Sequence, residues 1–274
     1  MKRLFISLLC ISLLLCGCEI FPSNPTASPI EDFEYTVSEY HVQITKYTGT
    51  DKDVVIPPVI EGRPVTSLGE PAFSETDIES VIIPDTVDFI RTSFFNCTSL
   101  KKVVMPDSVV IIEGSAFSGC TSLNDISLPE NLLFADWCAF SETAIEALNI
   151  PKYASLGDGA FCNNPHLKTV TFEEGCEKIG DGLREFSNCQ SLEKVVIPST
   201  AKQFVFYAFS NCPNLKSFEF AGNAPEKVVL LDSFSEKDAV YYKDFDFKSI
   251  TVYYNKGTTG WDSEFWQIFN LVER

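Results

Sequence analysis

Cysteine recurs at one fixed place in a short phrase: "AFSGCTSL" at 116–123, "EFSNCQSL" at 185–192 and "AFSNCPNL" at 208–215. A thiol held at such a spacing can serve as a nucleophile, a metal ligand or half of a disulfide. The chain has 10 cysteines, and seven lie beyond its N-terminal leader: Cys97, Cys120, Cys138, Cys162, Cys176, Cys189 and Cys212. None of the seven forms a C-x-x-C, so the spacing of a zinc site is missing. An odd number cannot all pair. Cys97 with Cys120, and Cys189 with Cys212, are each 23 residues apart. That distance is one period of the repeat below, which stacks them close enough to permit a disulfide. The preferred reading is buried free thiols that pack as small hydrophobes.

Other reactive groups are sparse. His41 sits in the alternating segment "YHVQITKY" and His166 in the turn "NNPHL", and neither has a nucleophile phrase beside it. The chain has no G-x-x-x-x-G-K-S/T, and no G-x-G-x-x-G after a strand, so phosphate cradles are not expected. "KGTTG" at 256–260 reads as the turn before Trp261. The pairs Asp51/Asp53 and Asp244/Asp246 could touch a calcium ion, but lack the glycine spacing and distal glutamate of a calcium loop. "NCT" at 96–98 matches a glycosylation sequon and carries little weight beside the leader described next. No enzyme, metal or cofactor is expected. With 38 acids against 21 bases the formal charge is −17, which repels phosphate backbones and argues against nucleic acid as a partner.

What the phrases require is an element that brings them together. Phenylalanine stands at 73, 94, 117, 140, 161, 186 and 209, at intervals of 21 to 25 residues. About eleven residues before most of them an apolar triplet ends in proline: "VIIP", "VVMP", "ISLP", "LNIP", "VVIP". One coil reads L-x-x-V-x-I-P, then a valine or isoleucine segment, then A-F-x-x-C-x-x-L. In "LKKVVMP" the alternation predicts Leu100, Val103 and Met105 inward and Lys101, Lys102 and Val104 outward, and proline ends the strand. A single coil cannot bury its apolar faces, so coils must stack and pair their strands.

The first residues are an address. "MKRLFISLLCISLLLCGC" opens with Lys2 and Arg3, followed by an apolar run from Leu4 to Leu15. That run is shorter than the roughly 20 residues of a membrane span and reads as a secretory signal. Leu15-Cys16-Gly17-Cys18 resembles the lipobox of bacterial lipoproteins, which implies a lipid on Cys18. "EIFPSNPTASPIED" at 19–32 carries three prolines and no apolar period, as a tether would.

The pattern L-x-x-V-x-I-P…A-F-x-x-C resembles the leucine-rich repeats of the BspA type, also called the Treponema pallidum type, over about 50–254. Residues 35–73 resemble the entry hairpin and first coil of such proteins, and "VYYNKGTTGW" at 252–261 their closing strand and turn. The resemblance implies a mainly β repeat solenoid, a right-handed stack of units of about 22–23 residues with an N-terminal β-hairpin cap. The expected layout is a signal peptide at 1–17, lipidated cysteine and tether at 18–32, β cap at 33–57, repeats at 58–221, and a degenerate repeat with C-terminal cap at 222–274. Three departures stand out. Coil 169–186 has Glu173 in place of proline and two extra residues, "FSETDI" and "FSETAI" lack the cysteine, and 222–250 is a charged unit around Phe234.

A solenoid offers the outward strand residues as an extended surface. Its central coils place Lys101, Lys102, Asn124, Asp125, Glu146, Asn149, Lys168, Thr169, Glu193 and Lys194 on the concave strand face, mixed in charge, with neither a basic stripe nor an aromatic track. That suits a protein ligand. The expected function is a lipid-anchored, extracytoplasmic binding module, adhesin-like and monomeric; the other class is a scaffold component of a bacterial envelope assembly.

Overall fold

The computed structural model describes residues 26–230 and 246–274. The signal segment, Cys18, Phe234 and Asp244 lie outside the described residues. The rest is a mainly β solenoid whose helical content, among the described residues, is four short 3-10 segments.

Each coil contributes two short strands. The first strands form one parallel ladder: Asp53–Val55, Ser80–Ile82, Lys102–Val104 and Asp125–Ile126 in one block, then Ala147–Ile150, Thr169–Phe172, Lys194–Ile197, Ser217–Phe220, Thr251–Tyr254 and Asn270–Glu273 in another. The second strands form a parallel ladder of their own: Arg63–Leu68, Phe89–Ile90, Ile111–Ile112, Phe134–Ala135 and Ser155–Leu156, then Lys178–Ile179, Gln203–Val205 and Lys227–Val229. Between the two strands of a coil, proline turns the chain. In "MPDSV" the amide of Val109 donates to the Pro106 carbonyl, and Leu132, Ala154 and Ala201 repeat the turn on Pro129, Pro151 and Pro198. Glu173 occupies the proline place in the sixth coil, yet the amide of Cys176 donates to its carbonyl in the same turn, so the geometry survives the substitution.

The register is set inside. Phe73, Phe94, Phe117, Phe140, Phe161, Phe186 and Phe209 stack in one column, every ring fully buried. Centroids are 4.9 Å apart at Phe94–Phe117 and 5.0 Å at Phe140–Phe161, with rings 5° and 3° from parallel. This is close to the spacing of adjacent β-strands, about 4.8 Å, so ring and backbone repeat together. Below, Tyr47 stacks on Phe73, and the antiparallel hairpin Phe33–Val37/Val42–Tyr47 covers that end. Above, Phe204, Phe218, Phe220, Trp261 and Trp266 pack edge-on or tilted and end the column.

Three residues after each of these phenylalanines comes a polar rung, and it is always a donor: Thr76, Cys97, Cys120, Thr143, Asn164, Cys189, Cys212. The thiols of Cys97, Cys120, Cys189 and Cys212 point at the carbonyls of Phe73, Phe94, Phe161 and Phe186, at 2.9, 3.1, 3.4 and 3.2 Å. The cysteines are free, as expected, but they are more than small hydrophobes, because each satisfies a buried carbonyl of the coil below. Burial pushes the Cys162 thiol up to about 12 and Cys176 to about 11, which keeps both protonated at neutral pH. Where cysteine is missing the donor is not: Thr76 donates to Phe73 O at 2.6 Å, and Asn164 donates to Phe140 O and Phe161 O while accepting from the amide and hydroxyl of Thr143.

Two tests follow from this interior. Phe117→Ala should cost about 3–5 kcal/mol in a urea titration, whereas Lys102→Ala on the outer face should cost less than about 1 kcal/mol. Equal effects would contradict the inward and outward assignment. Asn164→Ala should cost about 1–3 kcal/mol for each buried group it strands, and Asn164→Cys should recover part of the loss.

Candidate interaction surface

The outward residues of the first ladder run in rows. One row, just before the strands, holds Glu79, Lys101, Asn124, Glu146, Lys168, Glu193 and Lys216, joined by backbone hydrogen bonds from Glu79 to Asn124 and from Glu146 to Lys216. The next row holds Ser80, Lys102, Asp125, Ala147, Thr169, Lys194 and Ser217. Asn149 lies two residues further along, opposite Thr171. All ten residues expected from the sequence therefore share one face, exposed or half-buried.

Their charges largely answer one another. With no shift of register between coils, each acid meets the base of the neighbouring coil: Lys101 with Glu79 at 2.6 Å, Lys102 with Asp125 at 2.9 Å, Lys168 with Glu146 at 2.7 Å and Lys216 with Glu193 at 3.0 Å. Lys101 and Lys52 hold the Glu79 carboxyl below the usual range, and Lys168 does the same for Glu146. These exposed pairs add little stability. What they fix is the position of each head group. The face is a lattice of alternating, mutually oriented charges, where the sequence alone showed only mixed signs.

In its middle the lattice opens. No pairing joins Asp125–Ile126 to Ala147–Ile150, and a cleft of about 390 Å³ lies at the break, lined by Met105, Ile126, Leu128, Leu148, Asn149 and Glu173 among others. Asp125 and Ala147 flank this interruption. This mixed cleft, in which Met105, Ile126, Leu128 and Leu148 lie beside Asp107, Glu130 and Glu173, could not be read from a repeat in which both strands look regular.

A second surface escaped the sequence reading. On the second ladder Phe89, Ile111 and Phe134 stand on adjacent rungs, half-exposed, with Arg91 over the Phe89 ring at 5.7 Å. Beside them Leu133, Trp137 and Tyr153 are 52%, 56% and 61% exposed. The aromatic residues absent from the first face are gathered on the other. The signal was an apolar second segment in each coil, which a core reading absorbs.

The remaining candidates serve local structure. His41 and His166 are exposed. Asp53 accepts from Ser80 at 2.6 Å, and Asp246 accepts from the amide of Lys248 at 3.0 Å. Among the described residues there is no group of three or more His, Cys, Asp or Glu that could hold a metal ion, and no helix long and apolar enough to cross a membrane.

The architecture has counterparts of known structure. A leucine-rich repeat protein from Bacteroides ovatus aligns with a TM-score of 0.59 at 19% identity, over 89% of this chain and 76% of its own. The leucine-rich repeat protein of T. pallidum aligns with a TM-score of 0.54 at 27% identity, over 80% of this chain and 97% of its own. No curated protein matches the chain. The family model for the BspA type leucine rich repeat region matches in six copies, over residues 55–97 and 89–216. With most of its length in that match, the chain belongs to the BspA-type leucine-rich repeat family.

Proposed function

We propose that this protein is a lipid-anchored, extracytoplasmic binding module of a bacterial envelope, and that its first-ladder face takes a protein ligand in an adhesin-like contact. The observation that carries this reading is the central cleft. A flat lattice of paired charges offers a partner little to hold. A cleft of about 390 Å³ in which Met105, Ile126, Leu128 and Leu148 lie beside Asp107, Glu130 and Glu173 can accept a side chain from the partner. Binding energy in protein interfaces concentrates in such central, desolvated pockets, while surrounding polar residues exclude water. The ion pairs Lys102–Asp125 and Lys168–Glu146 on the same face then orient the partner and set the salt dependence of association. The anchor rests on the Leu15-Cys16-Gly17-Cys18 junction and the proline-bearing segment behind it. Two or more acyl chains on Cys18 would hold the protein on the membrane stably.

The anchor is tested by fractionation: Cys18→Ala should move the protein from the detergent phase to the soluble phase, and a variant still in the membrane would count against lipidation. Protease shaving of intact cells should release the repeats. Protection would favour a scaffold role inside the envelope instead. For the face, a partner captured from host-matrix or envelope extracts should lose affinity for a Lys102, Asp125 and Lys168 triple alanine variant, with a weaker salt dependence. Gln203→Ala and Lys227→Ala, on the second ladder, should bind as the parent does. The reverse pattern would place the ligand on the other ladder.

A further inference from the structure

The sixth coil breaks the repeat in four ways that meet at one place. Its phenylalanine, Phe186, follows Phe161 by 25 residues, and both extra residues fall between Ile179 and Phe186, in "GDGLRE". The column of rings widens there, with Phe161 and Phe186 5.8 Å apart against 5.0 Å one step below. The second ladder is interrupted at the same level, with no pairing between Ser155–Leu156 and Lys178–Ile179. A pocket of about 300 Å³ occupies the gap, walled by Tyr153, Ser155, Phe172, Lys178, Asp181 and Glu185 among others. Gly182 lets the inserted loop cross the coil below, since a Cβ there would lie 2.4 Å from the Leu156 carbonyl oxygen.

Glu185 is the anomaly. Its place, just before the stacked phenylalanine, is alanine or serine in every other coil: Ala72, Ser93, Ala116, Ala139, Ala160 and Ala208. Glu185 is 1% exposed, and among the described residues its Oε2 is the buried side-chain oxygen with no hydrogen-bond partner. The acids around it are engaged: Asp181 with Lys178 at 3.0 Å, Asp158 with Arg184 at 3.1 Å, and Glu177 with Lys202 at 2.6 Å. Burial pushes the Glu185 carboxyl up to about 8, Asp181 and Asp158 add to the rise, and the amides of Glu185 and Gly182 oppose it. A buried acid with one oxygen left unbonded destabilises the fold. A structural role would have supplied a partner.

We propose that the pocket beside Glu185 is a binding site for a single organic cation, an ammonium or guanidinium group such as a lysine or arginine side chain of a partner protein presents. The neutral acid gives its proton to solvent, a turn of its side chain brings the carboxylate into the pocket it lines, and the cation becomes the missing counter-charge. A divalent metal does not suit one available carboxylate. An anion would meet a site whose one unengaged ionisable oxygen is acidic. Lys152, 4.6 Å from the centroid of the exposed Tyr153 ring, shows that the rim already attracts a positive head group. This site lies on the second ladder and is independent of the cleft on the first.

The test is a chemical-shift titration of the full chain with methylguanidinium and with n-butylammonium, against potassium chloride and neutral acetamide. Because the ligand displaces a proton from a group that ionises near pH 8, the affinity should rise about tenfold between pH 6 and pH 7, and saturation should flatten that dependence. Lys152, Lys178, Glu177 and Asp181 are the other charged groups that line the pocket, and the added cations stay protonated. Glu185→Gln and Glu185→Ala should both abolish binding. The alanine variant carries the residue of the coils on either side, so its Tm should be no lower than the parent's. Its advantage should grow with pH, since an acid raised on folding loses stability as pH climbs from its unfolded value toward its folded one. Equal binding to Glu185→Gln, affinity that ignores pH, preference for acetamide, no perturbation of pocket residues by either cation, or a lower Tm for Glu185→Ala would each overturn the site.

Discussion

Everything in this molecule hangs on returning a phenylalanine to one column every coil. A ring that stacks at about 5 Å admits a single strand spacing, and a strand ladder at that spacing admits a single ring position. Chain length between rings is free to vary, and it does, from 21 to 25 residues. What does not vary is where the ring lands. The donor three residues later secures this from the polar side. The carbonyls of Phe73, Phe94, Phe140, Phe161 and Phe186 each accept a hydrogen from the next coil, from a thiol as Cys97 gives Phe73 or an amide as Asn164 gives Phe140. Ring and donor together fix the height and rotation of each coil on the one below.

That zero-shift register dictates the surfaces. Residues at the same place in successive coils lie directly above one another, so a base over an acid becomes an ion pair 22 or 23 positions apart in sequence, as at Lys168–Glu146 and Lys102–Asp125. The same rule builds a chain of side-chain amides: Asn188 donates to Asn163, and Asn211 donates to Asn188. Three adjacent coils put Phe89, Ile111 and Phe134 in the corresponding place on the second ladder, and that face becomes apolar instead. Each face thus takes its character from one column of the sequence. Substitution within a column changes a surface without touching the stack.

The column of rings, the first-ladder strands and their outward residues were legible because they repeat, and repetition makes even a three-residue strand such as Lys102–Val104 visible. The polar rung was half legible. Cysteine stands out, whereas Thr76 and Thr143 read as departures and Asn164 gives no signal, since their common property is donating a hydrogen and not their residue type. The strand Asn270–Glu273 was not foreseen, because it carries none of the repeat phrase and is recruited by pairing with Thr251–Tyr254. Glu185 stands inside the phrase "EFSNCQSL", where the period hides it. A periodic reading averages over coils, and a residue that occurs in one of them is the kind it discards.

The two ladder breaks show how such exceptions are tolerated. The first ladder parts between Asp125–Ile126 and Ala147–Ile150, and the second between Ser155–Leu156 and Lys178–Ile179. The coil between them belongs, by its first strand, to the block above and, by its second, to the block below. No single level cuts both ladders, and the ring column stays stacked past each gap, through Phe140–Phe161 at 5.0 Å and, more widely, Phe161–Phe186 at 5.8 Å. A solenoid is held by contacts between neighbours, so two breaks at one level would separate it into independent halves. Staggering them lets the chain open a cleft on each face while every junction keeps one ladder and the stack. The irregular coils are therefore where this fold has room for a ligand, and the regular ones are what hold that room open.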